Sequence, residues 1–425
     1  MQTEKSVYEE IEDLLEGVEL PRMALVEQRI DTPAILPEIG EAVRDALRQV
    51  GLPSGSVAVG VGSRDVAGIG EVVKALVDAL KQAGAEPFVV PAMGSHEAST
   101  AEGQVRVLEH LRVGEKEIGC PIKATMESIL VGETPSGVEV FMDRNAYEAD
   151  AVIVVNRVKP HTAFRGIVES GPTKMLAVGL GKQKGAHSVH AAGWENIRHT
   201  IPEAAHVAVE SGKVAFGLAV LENAWEKPYK VVAIPAEQMA ESEAPLLEEA
   251  KQNLLKLPFD AIDVLVVDEI GKDISGDGAD PNVTGRYPTP LRYRWPRSRA
   301  DGLSGPHRGD RRQRQRRRVG RRGNRAPRVE DRQAHDLPQR PHLHYPQPVK
   351  LPMVMPTDRL AMAAALEMCA GVSQRDARFV RIRNTLKLRR IYASESLLPE
   401  VEKNERLHIV EEARPMRFGN DGALV

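Results

Sequence analysis

Apolar residues along this chain follow two alternating rhythms. In the first they form short, nearly continuous aliphatic runs. These occur at Ser56–Gly62, Pro87–Pro91, Ala151–Asn156, Lys213–Leu221, Tyr229–Ile234 and Ala261–Asp268, and each predicts a strand. In the second they return every third or fourth position. Ile39–Val50, closed by Gly51 and Pro53, Ile69–Gln82, ended by Gly84, and Ala236–Leu255 read as amphipathic helices. Lys174–Leu180 and Ala186–His199 also read as helical, and residues 17–35 as extended segments. After Pro87–Pro91 comes a loop, PAMGSHEAST, in which Ser99 and Glu102 have capping-box spacing for a helix through Leu111. Strands alternating with helices predict an α/β protein with mainly parallel sheets covered by helices on both faces. Ligands in such sheets sit at the loops beyond strand C-termini, and His96 and His161 occupy loops of that kind. We divide the chain into an N-terminal α/β domain, 1–257, and a C-terminal α/β domain, 258–425. The active site is expected in the cleft between them.

Composition sharpens this picture only in part. The chain has 425 residues, long enough for two or three domains, and is 42% hydrophobic and 28% charged, a soluble profile. Aromatic residues make up only 4%, so the core must be aliphatic. A net charge of −3 argues against an obligatory polyanion partner, and nucleic acid is not expected. Cys120 and Cys369 lie far apart in sequence and read as reduced residues rather than a disulfide framework. The acidic start, MQTEKSVYEEIEDLLEG, has no signal-peptide core, and no apolar run is long enough for a membrane span. A cytoplasmic location is the expectation.

Hydrophobic periodicity disappears between Leu291 and about Gln347 and returns abruptly at VKLPMVMPTDRLAMAAALEM. Residues 291–340 hold 17 arginines against five acids and contain no lysine, isoleucine, phenylalanine, methionine or threonine. The favoured reading of 291–347 is an out-of-frame stretch of a GC-rich gene, which yields Arg, Pro, Gly, His and Ala. A basic disordered insertion is the alternative, but it lacks the aromatic interleaving of a nucleic-acid platform. On either reading the stretch buries too little apolar surface to order itself.

Candidate chemistry gathers elsewhere. Arg64, directly after the first strand of the alternation, can clamp a carboxylate or phosphate bidentately, or form a structural ion pair. His96 lies between a strand end and a helix start. His161, stiffened by Pro160, lies among Arg157, Lys159 and Arg165, an electropositive setting that suits an anion. Lys174 follows Ser170-Gly171-Pro172-Thr173 at a helix start. A helix N-terminus and neighbouring cations disfavour its ammonium form and make it a nucleophile for a covalent cofactor linkage; a surface lysine is the plain alternative. His187 and His190 lie three apart, and either can be a metal ligand. With no Cys, Asp or Glu grouped beside them, a cofactor would have to supply the other donors.

Taken together, Arg64, GSH at 94–96, PH at 160–161, SGPTK at 170–174, His190 and DPNVTGR at 280–286 resemble the nickel-pincer-dependent lactate racemase family. The resemblance covers about 15–285, and 348–425 continues it. It implies a racemase or epimerase of a 2-hydroxy acid working by proton-coupled hydride transfer. The implied cofactor is nickel in a pyridinium-3,5-bisthiocarboxylic acid mononucleotide, tethered to Lys174, with His190 as the nickel ligand and His187 as runner-up. His96 and His161 would be the two bases, Arg64 the substrate clamp, and Asn282 and Arg286 polar groups near the cofactor. A small anionic 2-hydroxy acid and the enzymes that build the cofactor are the implied partners. The stretch TAFRGIVESGPT departs from the family's glycine-rich loop and marks a divergent branch, so the substrate class is implied and lactate is not. Two alternatives stay open: another hydride-transfer activity on hydroxy acids, and a catalytically inactive homologue that binds anionic metabolites.

Overall fold

The computed structural model describes residues 7–425 apart from 64–65, 272–273, 288–316, 321–353 and 370, with backbone alone at 7–9, 98 and 317–320. Its strands, in chain order, are β1 (Met23–Gln28), β2 (Ser56–Val61), β3 (Glu86–Pro91), β4 (Ser128–Glu133), β5 (Glu139–Asp143), β6 (Ala151–Arg157), β7 (Val214–Glu222), β8 (Pro228–Pro235), β9 (Val264–Val267), β10 (Arg317–Gly320), β11 (Phe379–Ile382), β12 (Arg390–Ser394) and β13 (Leu407–Arg414).

A five-stranded sheet has the order β3-β2-β6-β7-β8. Its first four strands run parallel and β8 returns antiparallel. The period-two alternation of each strand divides the core. Val57, Val59, Val61, Ile153, Val155, Leu218 and Val220 face one side, with the helices Ile39–Leu47 and Ile69–Gln82. Ala58, Val152, Val154, Ala219 and Leu221 face the other, with the helices Lys182–Ala191, Ile197–Glu210 and Met239–Gln252. A buried aliphatic side chain contributes roughly 1.5–3 kcal/mol, so a one-residue slip of any strand would be costly. The α/β class with helix-covered, mainly parallel strands therefore stands for this sheet. The β4–β5 hairpin, which packs Val140 and Met142 against the second face, left no mark in the periodicity.

A six-stranded sheet has the order β10-β9-β11-β12-β1-β13. It is mixed: β9 pairs parallel with β10 and β11, and the remaining pairs are antiparallel. Here the structure departs from the division at 257. The register Met23↔Ser394 and Met23↔Arg414 sets β1 between the last two strands, so the first strand of the 1–257 stretch lies in the sheet of the 258–425 stretch. Pairing between residues almost four hundred positions apart is carried by backbone groups, which leave no local mark.

Three element boundaries also change. Thr100, not Ser99, caps the helix Ala101–His110, accepting from the Gly103 N–H at 3.2 Å, while Ser99 sits in the preceding turn with φ 57°. The stretch 186–199 divides into the ends of two helices, Lys182–Ala191 and Ile197–Glu210. The strand expected over Ala261–Asp268 shortens to Val264–Val267. Most of 291–347 lies outside the described residues. Within it β10 is described, contrary to the expectation that nothing there orders; backbone pairing along β9 asks nothing of side-chain type. Both cysteines are free, and burial pushes the Cys120 thiol up to about 11. Among the described residues no helix is long and apolar enough to cross a membrane.

Candidate functional site

In the five-stranded sheet the chain passes from β2 to β3 on one side, then returns to β6 on the other. Such a reversal of strand order opens a crevice beyond the C-terminal ends of the strands. Val61 is in register with Pro91 of β3 and Val155 of β6, so the three loops that follow these strands leave the sheet side by side. Ser63 and Arg64 follow β2, His96 follows β3, and His161 follows β6. Arg64 itself lies outside the described residues.

His96 is half-buried, and its Nδ1 is in short hydrogen-bond contact with Ser63 Oγ. Its loop is held from behind by Gln104, fully buried, whose Nε2 donates to the carbonyls of Gly94 (3.0 Å) and His96 (3.4 Å). His161 is also half-buried. Its backbone N–H donates to Glu169 Oε2 (2.7 Å), and its carbonyl accepts from Arg165 Nη1 (2.6 Å) and Asn282 Nδ2 (3.4 Å). The ring stacks at 4.4 Å on Phe164, and Nδ1 accepts from the Ala163 N–H at 3.0 Å. These contacts make the two imidazoles unlike. The neutral His161 ring keeps its proton on Nε2 while Ala163 occupies Nδ1. His96 faces a hydroxyl that can donate or accept, so it can adopt either tautomer without moving.

The electropositive setting expected around His161 is not what the folded chain presents. Arg157 pairs with Glu222, Lys159 with Asp280 at 3.1 Å, and Arg165 with Glu169 at 3.2 Å. Glu169 is fully buried and also meets Lys251 at 3.2 Å. The acidic partners sit 4 to 121 residues away in sequence, and the run of cations concealed them. These side chains shape the loop and leave little free positive charge on it.

Lys174 is half-buried and ends the short helix Pro172–Lys174, whose Pro172 stands at the first helical position. The next turn, Met175–Gly179, is a π-helix closed by Leu180 N–H on Met175 O (2.8 Å). Such turns recur at functional sites because they re-aim side chains within a helix. This turn packs on the His96 loop, with Gly94 N–H donating to Gly179 O at 3.0 Å. A Cβ at Gly179 would lie 2.6 Å from Ala92 O, so only glycine permits the approach. On the other side Asn156, at the end of β6, donates through Nδ2 to Gly171 O (3.5 Å). The helix Lys182–Ala191 then carries His187, exposed, and His190, half-buried. His190 Nδ1 contacts Ala186 O at 2.5 Å; a carbonyl can only accept, so Nδ1 bears the proton and Nε2 keeps its lone pair.

Asn282 and Arg286 differ in setting. Asn282 lies in the turn Pro281–Thr284; its amide nitrogen also donates to Asp280 Oδ1 (2.8 Å), and its oxygen accepts from Arg165 and from Tyr287 OH (3.2 Å). Arg286 is exposed. The structure thus brings the loops of His96 and His161, the turn of Lys174 and the segment of Asn282 into one bonded assembly. Sequence reasoning missed four residues that hold it: Ser63, Gln104, Glu169 and Glu243. Glu243 had a signal. It falls on the apolar stripe Met239, Leu246, Leu247, Ala250 of its helix, where an acid is out of place.

Residues 46–200 match the family described as lactate racemase N-terminal domain. Among solved structures, similarity is found to the lactate racemase apoprotein from Thermoanaerobacterium thermosaccharolyticum, at 16% identity and a TM-score of 0.41, over 55% of this chain and 60% of that one. A protein from Thermotoga maritima is similar at 18% identity and a TM-score of 0.44, over 55% of this chain and 63% of that one. The match thus spans less than two thirds of either structure. Among curated proteins there is no match.

Proposed function

We propose that this chain, whose residues 46–200 match the lactate racemase N-terminal domain family, is a 2-hydroxy-acid racemase or epimerase that depends on a lysine-tethered nickel-pincer nucleotide. The observation that carries the reading is the convergence of the His96 loop, the His161 loop and the Lys174 turn at the end of β2, joined by the bonds Gly94–Gly179 and Asn156–Gly171.

The residues present fit the cofactor at two points. Lys174 stands at the junction of a short helix and a π-turn that overlies the strand ends. His190 offers an Nε2 lone pair with its tautomer fixed by Ala186 O. Among the described residues no group of three or more His, Cys, Asp or Glu can hold a metal ion, so a metal at His190 would draw its other donors from a bound group. Lys174 would hold the nucleotide and His190 its nickel. When bound, the group supplies the acceptor for the hydrogen on the substrate's α-carbon.

The rest is the work of this chain. His96, whose ring can take either tautomer against Ser63, removes the proton from the substrate's 2-hydroxyl at Nε2. His161, on the loop beyond β6, serves the opposite face. To accept a proton at Nε2 it must first release the Ala163 N–H. The two directions of the reaction therefore differ in what they ask of the protein. Arg64, adjacent to Ser63, would hold the substrate carboxylate. Asn282, through His161 O and Arg165, steadies the His161 loop beside the cofactor, and Arg286 extends the same segment.

Protein co-produced with the enzymes that build the cofactor should carry an adduct on Lys174 and near-stoichiometric nickel by intact mass and metal analysis. Lys174→Ala should lose both. His96→Ala and His161→Ala should keep the adduct yet lose racemisation by about 10²–10⁴-fold, the usual worth of a positioned acid or base. Absence of adduct and nickel from the unsubstituted chain overturns the reading in favour of an inactive binding homologue.

A further inference from the structure

Gly171 precedes the helix that carries Lys174 and has no side chain with which to cap it. The cap comes from another helix. Glu243, fully buried on Met239–Gln252, accepts through Oε2 from both the Thr173 N–H (2.8 Å) and the Thr173 hydroxyl (2.7 Å). Its second oxygen, Oε1, is buried with no hydrogen-bond partner. It lies 2.3 Å from where a Cβ on residue 171 would be. Gly171 is extended, φ 172°, a conformation open to any residue, so the glycine is there for space. A buried carboxyl with one oxygen unsatisfied is costly, and it persists here at the turn that presents Lys174.

We propose that Glu243 is a positioning residue for Lys174, acting as a cap in trans that fixes the Gly171–Thr173 turn and so sets the direction and exposure of the lysine. The inference deepens the reading of Lys174 as cofactor anchor. Its test uses neither cofactor nor substrate and stands apart from that reading.

The full chain is treated briefly with acetic anhydride, and acetylation of Lys174 is compared by peptide mass spectrometry with that of Lys184, exposed two residues into the following helix and an internal reference. Glu243→Ala should raise the Lys174:Lys184 ratio about fivefold, as expected when a helix cap is lost. Glu243→Gln, which retains an acceptor for Thr173, should restore the original ratio. Gly171→Ala should act like Glu243→Ala when Glu243 is present, and should add little once Glu243 is alanine. A ratio unchanged in Glu243→Ala, or raised equally in Glu243→Gln, overturns the proposal. If Glu243→Ala does not fold, Thr173→Val, which deletes one of the two bonds, must still raise the ratio; no change there overturns it too.

Discussion

Glu243 also states a pH dependence. Burial is the largest influence on its carboxyl and raises it from 4.5 to about 7, the two Thr173 bonds offsetting part of the shift. A folded-state value above the unfolded one favours folding below 4.5, and that contribution is lost as pH rises through 7. The loss amounts to about 3 kcal/mol by pH 8.5. Glu243→Gln cannot ionise, so its stability relative to the native chain should increase from pH 5 to pH 8.5 by roughly that amount. Urea denaturation of both proteins at the two pH values measures it, and parallel pH profiles would refute it. The contrast between residues is instructive. His96, His161, Lys174 and His190 stood out in the sequence as candidates because imidazoles and a lysine beside turn residues are chemically conspicuous. Gln104 and Glu169 did not, because an amide or acid is ordinary until burial removes its water, and Glu243 showed only as an acid on an apolar stripe. The basic trio Arg157, Lys159 and Arg165 misled for the converse reason: their acidic partners become neighbours only on folding.

Among elements, the helix Lys182–Ala191 is pinned by an ion pair at its first residue. Lys182 and Asp143 are both fully buried, 2.8 Å apart, and Lys182 Nζ also donates to Pro91 O at 2.5 Å. Burial raises the Asp143 carboxyl and lowers the Lys182 ammonium, and their mutual attraction opposes both shifts. One ammonium thus joins the end of β3, which leads to His96, to the start of the helix that carries His190. Lys182→Met should cost about 3–5 kcal/mol because it strands Asp143 in the core, and Lys182→Met with Asp143→Leu should recover most of that. Chemical denaturation of the single and double variants decides it; a single variant within about 1 kcal/mol of the native chain would sink the argument. The elements themselves were largely legible. Ile69–Gln82 matches its periodicity end to end, and β2, β3, β6, β7 and β8 fall within a residue or two of their aliphatic runs. The π-turn at Met175–Gly179 was not, since its extra residue per turn answers to packing on Ala92 and Gly94.

At the scale of the molecule, the segment 291–347 remains the departure from an otherwise consistent pattern. The out-of-frame reading predicts that another frame of the underlying DNA, entered near Tyr287–Tyr293 and left near Pro346–Val349, encodes strand and helix periodicity with lysine and isoleucine restored. Translating the other two frames checks this, and two frames without such periodicity refute it. The sequence by itself determined the α/β class, the strands of the five-stranded sheet, and the histidines and lysine that could do chemistry. All of these rest on local periodicity and residue type. Tertiary structure alone decided that β1 completes the sheet of the last strands, that the cations around His161 are neutralised, and that Glu243 caps the helix of Lys174. Each of these joins groups distant in sequence through backbone pairing or burial, and such energies exist only once the chain has closed on itself.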